Sequence, residues 1–85
     1  MKIFKYELQI IGAIQCVHLP LGYKFLHVEM QRHVLCMWCL VDASADTEPV
    51  KFCVHGTGQF SLEKEHKYLG TALDDPYVWH LFLVP

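Results

Sequence analysis

The sequence predicts an all-β protein, one domain over residues 1–85 built as a small sandwich or barrel of about seven short, mainly antiparallel strands. Three observations predict this fold. Apolar and polar residues alternate with a period of two in most segments, as they do in half-buried strands. Pro, Gly and Asp residues divide the chain at short intervals. No long segment carries the period of an amphipathic helix.

The first three strands are predicted in the N-terminal third of the chain. Residues 4–10 alternate apolar and polar side chains, which favours a half-buried strand. Residues 14–19 predict a second, weaker strand. In the third strand Leu26, Val28 and Met30 alternate with polar residues, so these three side chains are expected on one face, toward the core.

The fourth strand is predicted to be central in its sheet. Arg32 and His33 form a plausible tight turn into it, and residues 34–42 are apolar at every position but the last. A strand that is apolar on both faces is typically covered on both sides. We therefore expect Trp38 to be a core residue, and residues 42–49 to follow as an exposed polar loop.

Three further strands complete the prediction. Residues 51–55 alternate, with the second and fourth positions inward, and the Gly-Thr-Gly segment at 56–58 ends that strand. The polar residues 61–67 favour a single helical turn. Residues 68–73 predict a short strand, and residues 77–84 predict a final strand that is apolar on both faces.

The composition predicts self-association. Of the 85 residues, 53% are hydrophobic, which is more apolar surface than a small monomer hides easily. Large exposed apolar patches usually mark interfaces. We therefore expect a homo-oligomer, and a two-fold dimer is its simplest form.

Charge and hydropathy exclude several classes of partner. Seven Lys and Arg residues stand against nine Asp and Glu, and Arg32 is the only arginine. Long nucleic acids need a basic surface that displaces counterions, so they are not expected partners. The first residues lack the apolar segment of a signal peptide, and no apolar run approaches the ~20 residues of a membrane span. We therefore expect a cytosolic protein with reduced cysteines.

The cysteines and histidines predict neither catalysis nor a cofactor. Cys36 and Cys39 form a C-x-x-C motif, but residues three apart on a strand point to opposite faces, so both are expected to be small core residues. Among the six histidines and four cysteines, no C-x₂-C pair is followed by an H-x₃₋₅-H pair, which is the spacing of a common zinc motif. No local pattern indicates a Cys-His nucleophile. We expect no metal, no cofactor and no enzymatic activity.

The predicted ligand site combines a glycine turn with aromatic and basic side chains. Backbone N–H groups of a Gly-x-Gly turn can bind an anion, aromatic faces stack on nucleobases, and two cations would supply charge. The predicted residues are His55, Gly56, Thr57, Gly58, Tyr77, Trp79, His80, Arg32 and Lys51. The alternatives are a structural tight turn or bulge for the glycines, and core or interface packing for the aromatic residues.

Several motifs occur in order along nearly the whole chain. They are Ile3-Phe4-Lys5-Tyr6-Glu7-Leu8, Leu19-Pro20-x-Gly22, Leu26-x-Val28-x-x-Gln31, Met37-Trp38-Cys39-Leu40-Val41-Asp42, Gly56-Thr57-Gly58, Tyr68-Leu69-Gly70-Thr71 and Val78-Trp79-His80-Leu81-Phe82. Together they resemble a family of short bacteriophage and prophage proteins of unknown function. Members of that family usually have Ala at the position of Cys39 and a short acidic end where this chain ends in apolar residues.

The resemblance implies a small phage accessory protein that acts in the host cytosol. We expect an inhibitor of host defence that sequesters a small anionic, nucleotide-like signal within a homo-oligomer. One alternative is an inhibitor that binds a host defence protein directly, for example by strand addition at a sheet edge. Another is a structural or housekeeping phage protein.

Overall fold

Two antiparallel sheets form the fold in the computed structural model, which describes residues 1–59 and 65–85. Within this part of the chain there are seven strands: β1 Lys2–Leu8, β2 Gln15–Pro20, β3 Lys24–Gln31, β4 Val34–Val41, β5 Thr47–Gly56, β6 Lys67–Asp74 and β7 Tyr77–Val84. The strand orders are β1-β4-β3 and β2-β5-β7-β6. The all-β prediction is confirmed. No helix among the described residues could cross a membrane.

The β3–β4 hairpin closes with two residues in left-handed conformations. Gln31 pairs with Val34, and the intervening Arg32 and His33 have φ angles of 50° and 68°. Two-residue hairpin loops of this kind match the right-handed twist of the flanking strands. The predicted tight turn is confirmed even though neither residue is the usual Asn or Gly.

Strand β4 is central in its sheet, as predicted, but its two faces differ. Cys39 pairs with Phe4 and Phe25 on the core face and is buried. Trp38 lies on the outer face, half-buried, with its ring 6.2 Å from that of His27. The expectation that Trp38 is a core residue is wrong, because neighbouring strands rather than a second layer cover this face.

The opposite orientation predicted for the C-x-x-C cysteines is correct. Cys36 pairs with Glu7 and Glu29 on the outer face, whereas Cys39 lies in the core. Desolvation by burial raises the pKa of the Cys39 thiol to about 11. These two cysteines therefore pack as small apolar residues and do not converge on one point.

Two irregularities change which residues face the core. The register of β3 against β4 shifts between Phe25 and His27, so Leu26 is an extra, exposed residue and Phe25 turns inward. A similar shift in β6 lies between Tyr68 and Gly70. The alternation that predicted Leu26 to face the core is therefore interrupted by a bulge.

The polar loop after β4 is shorter than predicted. Its first residue, Asp42, accepts hydrogen bonds from Ser44 N (3.1 Å) and Ser44 Oγ (2.7 Å), which hold the pKa of the Asp42 carboxyl below its usual value. Strand β5 already begins at Thr47, because residues 47–49 pair with β2.

Residues 61–64 of the predicted helical turn lie outside the described residues. The last residue of that prediction, Lys67, is the first residue of β6.

The core lies between the two sheets. Its most deeply buried side chains come from both sheets and are 0–1% exposed; they are Leu19, Leu35, Met37, Cys39, Val41, Phe52 and Leu81. Strands β5 and β7, central in the four-stranded sheet, supply Phe52, Val54 and Leu81. This packing fixes the position of the C-terminal end of β5, whose residues line two of the cavities described below.

Candidate functional site

A groove beside the turn after β5 contains a stacked pair of aromatic rings. This aromatic groove has a volume of about 470 Å³ and is lined by Gly56, Thr57, Gln59, Pro76, Tyr77, Val78 and Trp79. The ring centroids of Tyr77 and Trp79 lie 5.6 Å apart with an interplanar angle of 25°. Tyr77 is 59% exposed. Trp79 is held more firmly, because its Nε1 donates to Asp74 Oδ2 at 3.3 Å.

The glycine turn has most of its backbone N–H groups already hydrogen-bonded. Gln59 N donates to Gly56 O (3.2 Å), Gly56 N donates to Gln59 Oε1 (2.6 Å), and Thr57 N donates to Val78 O (3.2 Å). Gly58 has φ +89° at the third position of this turn, a conformation that favours glycine. The geometry favours the structural tight turn over an anion-binding one.

His80 lies next to the turn, on the outer face of the four-stranded sheet. Its Nε2 is 2.8 Å from Thr57 Oγ1 and its Nδ1 is 2.9 Å from Thr71 Oγ1. Both ring nitrogens are therefore already partnered. The sequence placed His80 in the ligand site, and in the structure it positions Thr57 instead of lining the groove.

The two predicted cations lie away from the aromatic groove. Arg32 belongs to the β3–β4 hairpin of the other sheet. Lys51 pairs with Val84 and precedes Gly56 by five residues on β5, which is roughly 16 Å along an extended strand. Of the nine predicted residues, the structure therefore brings four into the groove lining: Gly56, Thr57, Tyr77 and Trp79.

A second cavity contains a cysteine and two histidines, which we call the Cys–His cluster: Cys53, His55 and His66. The cavity has a volume of about 300 Å³, and Gly12, Ala13, Ile14 and Val54 complete its lining. One ligand-type atom from each cluster residue lies within 4.8 Å of the other two. Burial raises the pKa of the Cys53 thiol. Sequence reasoning predicted His55 as a ligand-binding residue but did not group it with Cys53 and His66.

The signal for this cluster was present in the sequence. Cys53 and His55 are two residues apart on a strand, so their side chains point to the same face. This short spacing differs from the longer spacings of common zinc motifs. The contribution of His66, which directly precedes β6, is visible only once β5 and β6 are placed in one sheet on either side of β7.

A third groove, at the edge between the sheets, carries the cations that the aromatic groove lacks. It is lined by Tyr23, Lys24, Phe25, Lys67, Tyr68, Leu69 and Leu83. This edge groove has a volume of about 470 Å³. Its two lysines and its aromatic rings were not grouped by sequence reasoning, because β3 and β6 are far apart in the chain.

Comparison with known proteins gives a family and no further relative. No curated protein and no solved structure matches the chain. A family described as a domain of unknown function, DUF7352, matches residues 1–85. The match covers the whole chain, which therefore belongs to the DUF7352 family.

Proposed function

We propose that this protein is a non-catalytic binding protein, and that its ligand is a small planar molecule that carries a nucleobase. The observation that supports this function best is the stacked pair of Tyr77 and Trp79 in an open groove. Ligand sites are typically concave and mostly apolar, with a few polar groups that orient the ligand. Thr57 and Gln59 supply such groups beside the rings.

The exposed ring of Tyr77 is the surface on which a base would stack. Trp79 packs against the backbone on one side, since a Cβ atom at Gly56 would lie only 3.2 Å from Trp79 Cζ3. Tyr77 stacks on the same indole. A planar ligand would extend the stack on Tyr77, and base–aromatic stacking contributes about 1–3 kcal/mol per base.

The charges near the groove favour a base or nucleoside over a phosphate. No lysine or arginine is among the described residues that line it. Asp74 borders it through its hydrogen bond with Trp79, and a carboxylate at this position repels an anion. The anionic part of a nucleotide would therefore project into solvent or toward a second subunit.

Within the phage setting that the sequence resemblance implies, such a protein would act by sequestering a nucleotide signal of the host. A binder needs only stoichiometric amounts and no catalytic group for this role. The homo-oligomer predicted from composition remains part of the proposal. Leu73, 75% exposed on the outer face of β6, is an apolar side chain that a second copy would cover.

The test is a fluorescence titration of a Trp38→Phe variant, in which Trp79 is the only tryptophan. We expect adenosine to quench this fluorescence and to bind at least as tightly as AMP. In the same background, Tyr77→Ala should raise the Kd of adenosine roughly 5- to 150-fold, which corresponds to the loss of one stacking contact.

Phe4→Ala is the control, because Phe4 is a 38% exposed aromatic residue on β1 of the other sheet and does not line the aromatic groove. It should leave the Kd for adenosine unchanged. Absence of quenching by saturating adenosine would contradict the proposal. So would binding of AMP alone that is lost in Lys24→Ala, since this result would place the ligand in the edge groove.

A further inference from the structure

The spacing within the Cys–His cluster fits the coordination sphere of a metal ion. Cys53 Sγ lies 3.6 Å from His66 Nδ1. A tetrahedral zinc ion has Zn–S and Zn–N bonds of about 2.3 and 2.0–2.1 Å, which set sulfur and nitrogen about 3.5–3.6 Å apart. The third ligand atom, from His55, lies within 4.8 Å of both. A small side-chain rotation would bring it onto the same ion.

His55 has an unsatisfied ring nitrogen. Its Nε2 is buried and has no hydrogen-bond partner within residues 1–59 and 65–85. Leaving a buried polar atom unpaired costs about 1–3 kcal/mol, so such atoms usually have a functional explanation. His80, the cross-strand neighbour of His55, shows the contrast, because both of its nitrogens bond to threonine hydroxyls.

The strand framework orients the cluster before any ion binds. Cys53 and His55 occupy alternate positions on β5, so the pleat directs both side chains to one face. The His55 ring also packs edge-on against Phe82, with centroids 5.9 Å apart and an interplanar angle of 72°. Ligands that are held by packing lose little entropy when they bind a metal.

The cavity beside the cluster leaves room for a fourth ligand. Its volume is about 300 Å³, whereas one water molecule in the liquid occupies about 30 Å³. Three protein ligands with an open fourth position are typical of zinc sites that bind water or a small exogenous ligand, whereas purely structural sites are closed by four protein ligands.

We propose that Cys53, His55 and His66 bind a divalent transition-metal ion of the zinc class, with the fourth coordination position open to the cavity. One thiolate and two imidazoles are borderline-soft donors, and this donor set selects zinc over magnesium or calcium. Binding displaces the thiol proton of Cys53, which leaves to solvent as the sulfur–metal bond forms.

This site is separate from the aromatic groove and does not depend on the function proposed for it. The described linings of the two cavities have no residue in common. Failure of one proposal therefore leaves the other intact.

The experiment is a cobalt(II) titration of the full chain after treatment with a chelator. Cobalt(II) replaces zinc and reports thiolate coordination by a near-ultraviolet charge-transfer band, and tetrahedral geometry by visible bands. We expect both, with saturation at one ion per chain. Cys53→Ser should abolish the charge-transfer band. His66→Gln should weaken binding more than about a hundredfold, since loss of outer-shell partners alone costs about 10–100-fold.

The chain contains its own matched control, because Cys16-Val17-His18 repeats the tripeptide Cys53-Val54-His55 on strand β2. Cys16 and His18 are exposed, and no described cluster of metal-ligating residues includes them. Cys16→Ser and His18→Gln should therefore bind cobalt like the unmodified chain.

Two results would overturn the proposal. The first is the absence of a thiolate–cobalt band in the unmodified chain. The second is retention of that band in Cys53→Ser, whichever other cysteine then supplies the thiolate. Zinc should also raise the Tm of the unmodified chain but not that of His66→Gln, so this second readout separates a loss of ligand from a loss of fold.

Discussion

Replacing Phe52 with alanine is expected to lower the free energy of unfolding by about 3–5 kcal/mol, enough to unfold much of the population of a small domain. Phe52 is 0% exposed and is the largest fully buried side chain among the described residues. It lies on β5, a central strand, and faces the other sheet across the core. Truncation loses its burial and leaves a cavity that the rigid strands cannot close.

Urea denaturation followed by circular dichroism would measure this loss. Phe52→Leu keeps most of the volume and should remain folded, so it serves where Phe52→Ala does not fold. Trp38→Ala is the informative comparison, since Trp38 is equally aromatic but lies half-buried on the outer face. It should cost clearly less than Phe52→Ala; an equal or larger cost would contradict the placement of Phe52 in the core and Trp38 outside it.

The second large effect is expected at Gly70. Of the glycines in the chain, Gly70 is the one whose added Cβ atom would lie closest to a neighbouring atom, on a strand of the other sheet. A Cβ atom at Gly70 would lie 2.7 Å from Val28 Cγ1, well inside van der Waals contact. Val28 is only 3% exposed and cannot move into solvent. Gly70→Ala should therefore destabilise the protein by about 1–3 kcal/mol through overpacking, measured as a lower urea midpoint.

Two controls make the Gly70 prediction specific. A Cβ atom added at Gly12 would have no neighbour within 4 Å, and Gly12 has no positive φ, so Gly12→Ala should be neutral or slightly stabilising. Combining Gly70→Ala with Val28→Ala removes the clashing methyl group, so the glycine substitution should cost less in that background. If the destabilisation of the double variant equals the sum for Gly70→Ala and Val28→Ala, the contact with Val28 is not the cause of the Gly70→Ala effect.

The strand pattern could be predicted from the sequence because a period of two depends only on local side-chain chemistry. The central position of β4 and the β3–β4 turn followed from residues 32–41 alone. Which side chains of β3 face the core did not follow, since the bulge that exposes Leu26 arises from pairing with β4. Trp38 was misplaced for a related reason: an apolar face does not reveal how much of it another layer covers.

In the candidate sites, too, residues on one strand could be grouped from the sequence, whereas residues brought together by the strand order could not. Tyr77 and Trp79 could be grouped because alternate residues on a strand share a face. The cations Arg32 and Lys51 were added for their charge, and the strand order separates them from the aromatic rings. The two Cys-Val-His tripeptides are identical in sequence, and they differ in burial and in the presence of His66 beside the second one.

The two bulged strands lie where a regular edge would invite edge-to-edge aggregation. Strands β3 and β6 are edge strands of their sheets, and each contains a register shift. A regular exposed edge is a template for amyloid growth, and a bulge interrupts its ladder of hydrogen bonds. Strands β1 and β2 are the other two edges, and each pairs without a shift. On β1 we expect the charges of Lys2 and Lys5 to disfavour the addition of a second chain.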